Sequence, residues 1–173
     1  MQASVFVGIS VDGFMARRNG AFDFLDEGGG EPHGYEEFLA TVDVLVIGRG
    51  TFEVVAKFAQ WPYGEKRVVA LSSNPIDLSG VPSTVVHMQG EPAAIVAMLA
   101  AQGFRHAYVD GGITIQKFLR AGLIQRLTIT RVPVLIGDGI PLFGVLPSDI
   151  RLRHVATRSY ASSLVQSEYE VIS

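Results

Sequence analysis

Short apolar runs and helix-like stretches take turns along the first two thirds of the chain. Val5–Ile9, Val42–Ile47, Arg67–Leu71, Ser83–His87 and Ala107–Val109 read as strands. Between them, Tyr35–Thr41 sets Tyr35, Phe38 and Leu39 on one helical face, and Thr51 reads as the N-cap of a helix from Phe52 to Phe58. Pro92 suits the first position of a helix reaching about Ala101, which Gly103 stops. Strands separated by helices cannot pair as hairpins; they need crossovers, and so a parallel sheet with helices on its faces. The unbroken apolar run Val42–Ile47 fits a strand buried on both sides. The last third differs, since Arg126–Leu135, Arg151–Tyr160 and Ser163–Ile172 look like strands joined without helices. In the last of these Val165, Ser167, Tyr169 and Val171 alternate with Gln166, Glu168 and Glu170, which predicts one drier face. The expected architecture is a single three-layer α/β/α domain over residues 1–173. Its mostly parallel mixed sheet ends in an antiparallel C-terminal hairpin.

One stretch resists this pattern. From Asp12 to Gly34 glycine and charge dominate and no period is sustained, which predicts a long loop of the kind that covers or lines a binding site. The chain of 173 residues, 48% hydrophobic with a net charge of −3, can bury a core unaided and lacks the basic excess of a nucleic-acid binder. Cysteine is absent, which excludes disulfides and thiolate zinc sites. His33, His87, His106 and His154 are scattered without metal-site spacing, so no metal is expected. No run approaches the ~18 apolar residues of a membrane span. Met1–Val7 reads as a first strand rather than a signal segment, so the cytoplasm is the expected location.

Three predicted parallel strands end in Gly48-Arg49-Gly50-Thr51, Ser72-Ser73-Asn74 and Asp110-Gly111-Gly112-Ile113. Ligands of open α/β sheets bind beyond such ends. Glycines admit close backbone approach, and the unpaired N–H groups of a helix's first turn suit a phosphate. Arg49 can fork onto a terminal phosphate to which Ser72 and Ser73 donate, a set that fits the 2′-phosphate of NADP better than the 2′-hydroxyl of NAD. Each fragment has a plainer reading. The glycine pair is equally a tight turn, Arg49 an ion-paired surface residue, and Ser72-Ser73 a turn.

Taken in order, Ser10-Val11-Asp12-Gly13-Phe14-Met15-Ala16, Ile47-Gly48-Arg49-Gly50-Thr51-Phe52-Glu53, Leu71-Ser72-Ser73, Val109-Asp110-Gly111-Gly112 and Pro133–Phe143 resemble the dihydrofolate reductase-like superfamily. The nearest branch is the reductase domain of bacterial riboflavin biosynthesis and its stand-alone relatives. The resemblance implies NADPH lying across the strand ends and hydride transfer to a small heterocycle. That substrate would be a 5-amino-6-ribosylaminopyrimidine, such as 5-amino-6-(5-phosphoribosylamino)uracil, or a pterin-like ring. It implies Arg49 and Thr51 at the 2′-phosphate and pyrophosphate side, Ser72 and Ser73 at the adenosine end, and Gly111, Gly112, Ile113 and Thr114 at the pyrophosphate. It also implies Gly8 and Met15 at the nicotinamide, with Asp12–Gly20 as a closing loop. A homodimer through the terminal hairpin is implied as well.

The chain departs from true dihydrofolate reductases in two places. The carboxylate expected at the start of the helix after the closing loop falls near Gly34-Tyr35, with Glu36 and Glu37 just beyond, and the sole tryptophan is Trp61. Without cysteine, no attached zinc deaminase is expected. Asp12, Tyr35 and Glu37 are the catalytic candidates, with Glu36 and His33 beside them. The alternative is an NADP(H)-binding module of the same fold without turnover.

Overall fold

The computed structural model describes residues 1–28 and 31–172. In chain order the strands are β1 (Gln2–Ser10), β2 (Phe14–Ala16), β3 (Val44–Gly48), β4 (Arg67–Leu71), β5 (Val85–Met88), β6 (His106–Asp110), β7 (Arg126–Val132), β8 (Ile140–Pro141), β9 (Arg151–Ser159) and β10 (Val165–Ile172). The α-helices are α1 (Tyr35–Ala40), α2 (Arg49–Val55), α3 (Pro92–Ala101) and α4 (Gly112–Arg120), and a 3-10 turn spans Asp23–Gly28. The main sheet has the order β5-β4-β3-β6-β1-β7-β10-β9. Its first six strands are parallel, β10 runs antiparallel to β7, and β9 folds back antiparallel on β10. The change from parallel to antiparallel coincides with the loss of helical crossovers after α4.

Two cores hold the layers. On one face Ile95 and Leu99 of α3 and Ile115 and Phe118 of α4 pack on Val5, Val46 and Val109. On the other, Phe52 and Val55 of α2 and the half-buried Tyr35 and Phe38 of α1 pack on Leu45, Ile47 and Tyr108. Val44–Ile47 are wholly buried, as their unbroken apolar run requires in a central strand. Each such side chain contributes roughly 1.5–3 kcal/mol on burial.

Four local expectations are corrected. The Asp12–Gly34 stretch is not uniformly loop: β2 lies in it and pairs with β8 as a separate two-stranded sheet, and the 3-10 turn follows. Residues 29 and 30 of that stretch lie outside the described ones. β7 stops at Val132 rather than Leu135, because Pro133 has no N–H for the ladder. β10 does not alternate wet and dry. Gln166 and Ser167 are both buried while Val165 is 38% exposed, because the segment leading into α1 covers Gln166. Its amide nitrogen donates to His33 O at 2.9 Å and Thr130 Oγ1 at 3.0 Å. The fourth correction concerns α2, which begins at Arg49 with Gly48 as its N-cap. Thr51 is therefore inside the helix, and Glu53 lies beyond its first turn.

Candidate active site at the strand ends

Parallel strands finish on one side of the sheet, so β3, β4 and β6 deliver their terminal residues to a common edge. Gly48 pairs with Leu71, and Ile47 with Asp110, which makes the three predicted loops neighbours. The contact between two of them is close. A Cβ on Gly48 would stand 2.5 Å from Thr114 Oγ1, and one on Gly111 would stand 2.7 Å from Thr51 Oγ1. Each glycine thus lies against a hydroxyl from the other loop. Gly111 also holds φ 99° and ψ 129°, a region that residues with a Cβ rarely occupy.

Gly111 caps α4 without a side-chain hydrogen bond, so the first-turn N–H groups of this nine-residue helix point outward unpaired. Lys117 and Arg120 in its last turn complement the opposite dipole end. A Cβ on Gly112 would lie 3.0 Å from Ile140 Cγ2 and 3.7 Å from Met15 Sδ, so the β2/β8 sheet abuts the start of α4. Gly8 is similarly tight, with a Cβ reaching 3.1 Å from Leu25 Cδ2. The cofactor candidates Gly48, Thr51, Gly111, Gly112, Thr114 and Met15 are therefore brought together, and Ile113 is exposed beside them.

Arg49 bonds Glu53 through Nε at 2.7 Å, one helical turn on, and both are half-exposed. Gly50 lies within α2 in open space. Past β4, Ser72 Oγ accepts the Asn74 N–H at 3.0 Å, and Ser73 is exposed beside it.

The catalytic candidates go to different places. Asp12 turns to the loop before β8, where its carboxylate accepts Gly137 N–H at 2.8 Å and Ile136 N–H at 3.3 Å. The Ser10 hydroxyl and these amides hold its carboxyl below the usual carboxylate range. Together with Val11 N–H to Val134 O at 2.9 Å, Leu142 N–H to Gly13 O at 3.0 Å and the Arg18–Asp138 ion pair, this straps the Asp12–Gly20 segment to residues 134–142. Tyr35 packs edge-on against Phe6 at 5.5 Å and Tyr108 at 6.4 Å. Burial, and then the charge of Asp110, push its phenol up to about 12. Glu37 is exposed and lines a hollow with Gln2, Ser4 and Thr41 near the opposite ends of the strands.

Asp110 is the residue that sequence reading passed over as chemistry. It ends β6 immediately before the glycine pair, and burial pushes its carboxyl up to about 6 although Oδ1 accepts the Gly111 N–H at 2.7 Å. Burial, and then the charge of Asp110, also raises the phenols of Tyr63 and Tyr108. The signal lay in plain view as a carboxylate abutting Gly111-Gly112. Tyr108 stands two residues before it, but nothing local reveals that Tyr35 and Tyr63 also feel its charge. Among the described residues no helix is long and apolar enough to cross a membrane.

Comparison with known proteins agrees with this fold. The model of the RibD C-terminal domain family matches residues 4–166. The uncharacterized protein YwjB of Bacillus subtilis (strain 168) is 30% identical over 167 residues, covering 95% of each chain. A putative riboflavin biosynthesis protein from Shewanella sp. PV-4 superposes over 100% of both chains with a TM-score of 0.93 and 36% identity. A dihydrofolate reductase from Enterococcus faecalis, complexed with NADP(H) and RAB-propyl, shares the fold at a TM-score of 0.67 and 17% identity, covering 99% of this chain and 97% of its own.

Proposed function

The chain belongs to the RibD C-terminal domain family, and we propose from that membership that it is an NADPH-dependent reductase of a small heterocyclic substrate. The observation that carries this reading is the cradle at the strand ends. There a side chain on Gly48 or Gly111 would run into the Thr114 or Thr51 hydroxyl, and the start of α4 leaves unpaired N–H groups beside them. Those features fit a dinucleotide. Gly111, Gly112, Ile113 and Thr114 would hold the pyrophosphate through backbone N–H groups, Arg49 and Thr51 the 2′-phosphate side, and Ser72 and Ser73 the adenosine end. Gly8 and Met15 would line the nicotinamide.

When bound, NADPH supplies hydride. The chain's own contribution is to bind, orient and shield. The strap made by Asp12, Arg18 and the β2/β8 pair carries Met15 against the start of α4, where it would limit water at the ring. Asp110 keeps Oδ2 free of the Gly111 N–H, and with its carboxyl near 6 it holds a proton there for a fraction of the time at neutral pH. After burial, the charge of that carboxyl raises the Tyr35 phenol. In this reading Asp110 and Tyr35 orient the substrate, while Asp12 and Glu37 stand further from the reaction. Turnover takes place in the cytoplasm.

Equilibrium titration tests the reading. NADPH is expected to bind with micromolar affinity. Arg49→Ala removes a charge-assisted contact of about 1.5–3 kcal/mol and so weakens NADPH roughly 10- to 150-fold, while NADH affinity stays within twofold. Equal weakening of both would remove Arg49 from the 2′-phosphate. Saturation with NADPH but no oxidation with pterins, ribosylaminopyrimidines, quinones or aldehydes would leave a binding module instead. Absence of NADPH binding would dismiss the reading.

We also propose that two copies pair through β9. It is the last strand of the sheet, eight of its nine residues are exposed, and its outer edge presents unpaired backbone groups. Sedimentation equilibrium should return twice the chain mass of 18.7 kDa. A monomer at tens of micromolar would refute the pairing.

A further inference from the structure

We propose that the imidazole of His33 hydrogen-bonds the substrate ring, an assignment that rests on the reductase reading above. It adds to Asp110 and Tyr35 a group delivered by the segment that precedes α1.

Strand register leads from Gly8 to this residue. Gly8 pairs with Thr130 of β7, Thr130 with Gln166 of β10, and Gln166 with Arg158 of β9. The row lies on the α1 face of the sheet, because the alternating Leu127 and Ile129 pack with α3 and α4 on the other. Gln166 is buried, and both of its N–H groups are used. Nε2 donates to Thr130 Oγ1 at 3.0 Å and to His33 O at 2.9 Å, while Oε1 accepts the Tyr160 hydroxyl at 3.3 Å. The backbone at His33 is therefore tied to the row that begins at Gly8.

The ring of His33 has no such tie. Tyr160 meets it edge-on at 4.7 Å, and its Nε2 is buried without a hydrogen-bond partner among the described residues. The other three histidines are engaged. His106 Nδ1 donates to Thr41 O at 3.0 Å and its Nε2 meets Ser4 Oγ at 2.8 Å. His87 Nε2 donates to Ser72 O at 2.9 Å, and His154 Nε2 meets Thr157 Oγ1 at 2.6 Å. A buried polar atom left unpaired costs stability and calls for an explanation, and a ligand that completes it supplies one.

His33 borders a hollow of about 530 Å³ between α1 and the sheet, together with Phe6, Gly34, Gln166 and Arg158. That volume is in the range of small-molecule sites. Arg158 is already paired with Glu168 at 3.0 Å and its side chain is 59% exposed. Leu25 stands over Gly8, with Cδ2 3.1 Å from the place of a Cβ, and Phe6 is half-buried beside it in β1. A flat ring finds apolar side chains for its faces here and an imidazole for its polar edge. A neutral imidazole donates through one nitrogen and accepts through the other, so it suits either a carbonyl or an N–H of the heterocycle.

The test follows the imidazole nitrogens by NMR in the full chain saturated with NADP+, while 5-amino-6-(5-phosphoribosylamino)uracil or dihydropterin is titrated in. One of these probes is expected to move the His33 Nε2 resonance and leave that of His106, whose nitrogens are engaged, in place. His33→Phe should weaken that probe about tenfold or more, whereas His33→Gln, whose amide can stand in for Nε2, should stay within about threefold. Both variants should keep NADP+ affinity within about twofold, which shows that they are folded. Binding of neither probe, an unmoved His33 resonance, or unchanged affinity in His33→Phe overturns the assignment. Equal loss in His33→Gln marks a packing role and overturns it too. Failure of the reductase reading shows separately, as absent NADP+ binding in the unsubstituted chain.

Discussion

Gly111→Ala puts the proposed cradle under direct strain. The native backbone at φ 99°, ψ 129° costs a residue with a Cβ roughly 1–3 kcal/mol. The added methyl would also sit 2.7 Å from Thr51 Oγ1, while its next neighbour, Gly48 N, is at an ordinary 3.5 Å. Rotating or shifting the threonine to relieve that single contact costs about 1 kcal/mol. The expected loss is therefore roughly 2–4 kcal/mol, or about 5–15 °C in Tm for a chain of this size. Urea unfolding at constant m reads it directly. Two companion variants apportion it. Thr51→Ala in the Gly111→Ala background should recover only the contact share, about 1 kcal/mol, because the backbone strain remains. Gly103→Ala, at φ +93° with nothing within 4 Å, should show strain alone. A loss below about 0.5 kcal/mol for Gly111→Ala, or full recovery in the double variant, would refute the close-packed cradle.

Other consequences follow from single residues. Asp110 binds its proton more tightly folded, at about 6, than unfolded near 3.8, so its contribution to stability is greatest below 3.8 and is lost as pH rises through 6. Asp110→Asn should therefore stabilise the fold by roughly 2–3 kcal/mol at pH 8 and hardly at all at pH 4; an equal gain at both pH values in thermal unfolding would contradict the buried carboxyl. Asp12→Ala removes the acceptor for Gly137 N–H and Ile136 N–H, and amide exchange at Gly137 should accelerate while exchange in β3 is unchanged. Unaltered exchange at Gly137 would dismiss the strap. Gln166→Leu strips His33 O and Thr130 Oγ1 of their donor and should cost about 1–3 kcal/mol in urea unfolding, whereas a neutral change would argue against that buried network.

Some features were legible because they are local. β4 occupies Arg67–Leu71 as its apolar run predicts, α3 starts on Pro92, and the chain leaves α3 through Gly103 at positive φ. These outcomes depend on dihedral preference and on the period of a few adjacent residues. The change from crossover to hairpin connections was legible for the same reason, and with it the division of the sheet into parallel and antiparallel parts.

What was not legible depended on distant partners. β2 and β8 are three and two residues long, too short to show a period, and they exist because they pair across more than a hundred residues. Thr51 has the chemistry of an N-cap, but Gly48, extended at the end of β3, lets the helix begin earlier. Gln166 alternates as a solvent-facing residue until the segment before α1 covers it. Asp12 sits in a loop whose sequence gives no sign that the backbone of residues 136–137 engages its carboxylate. Asp110 carries no local mark of its raised pKa, which comes from burial at the strand end beside Gly111. Periodicity and turn chemistry travel with a short segment, so they can be read along the chain. Burial and charge environment are set by whatever packs from elsewhere, so the meeting of the strand ends, the tightness of the glycine cradle and the acidity of its surroundings arise only when the sheet is assembled.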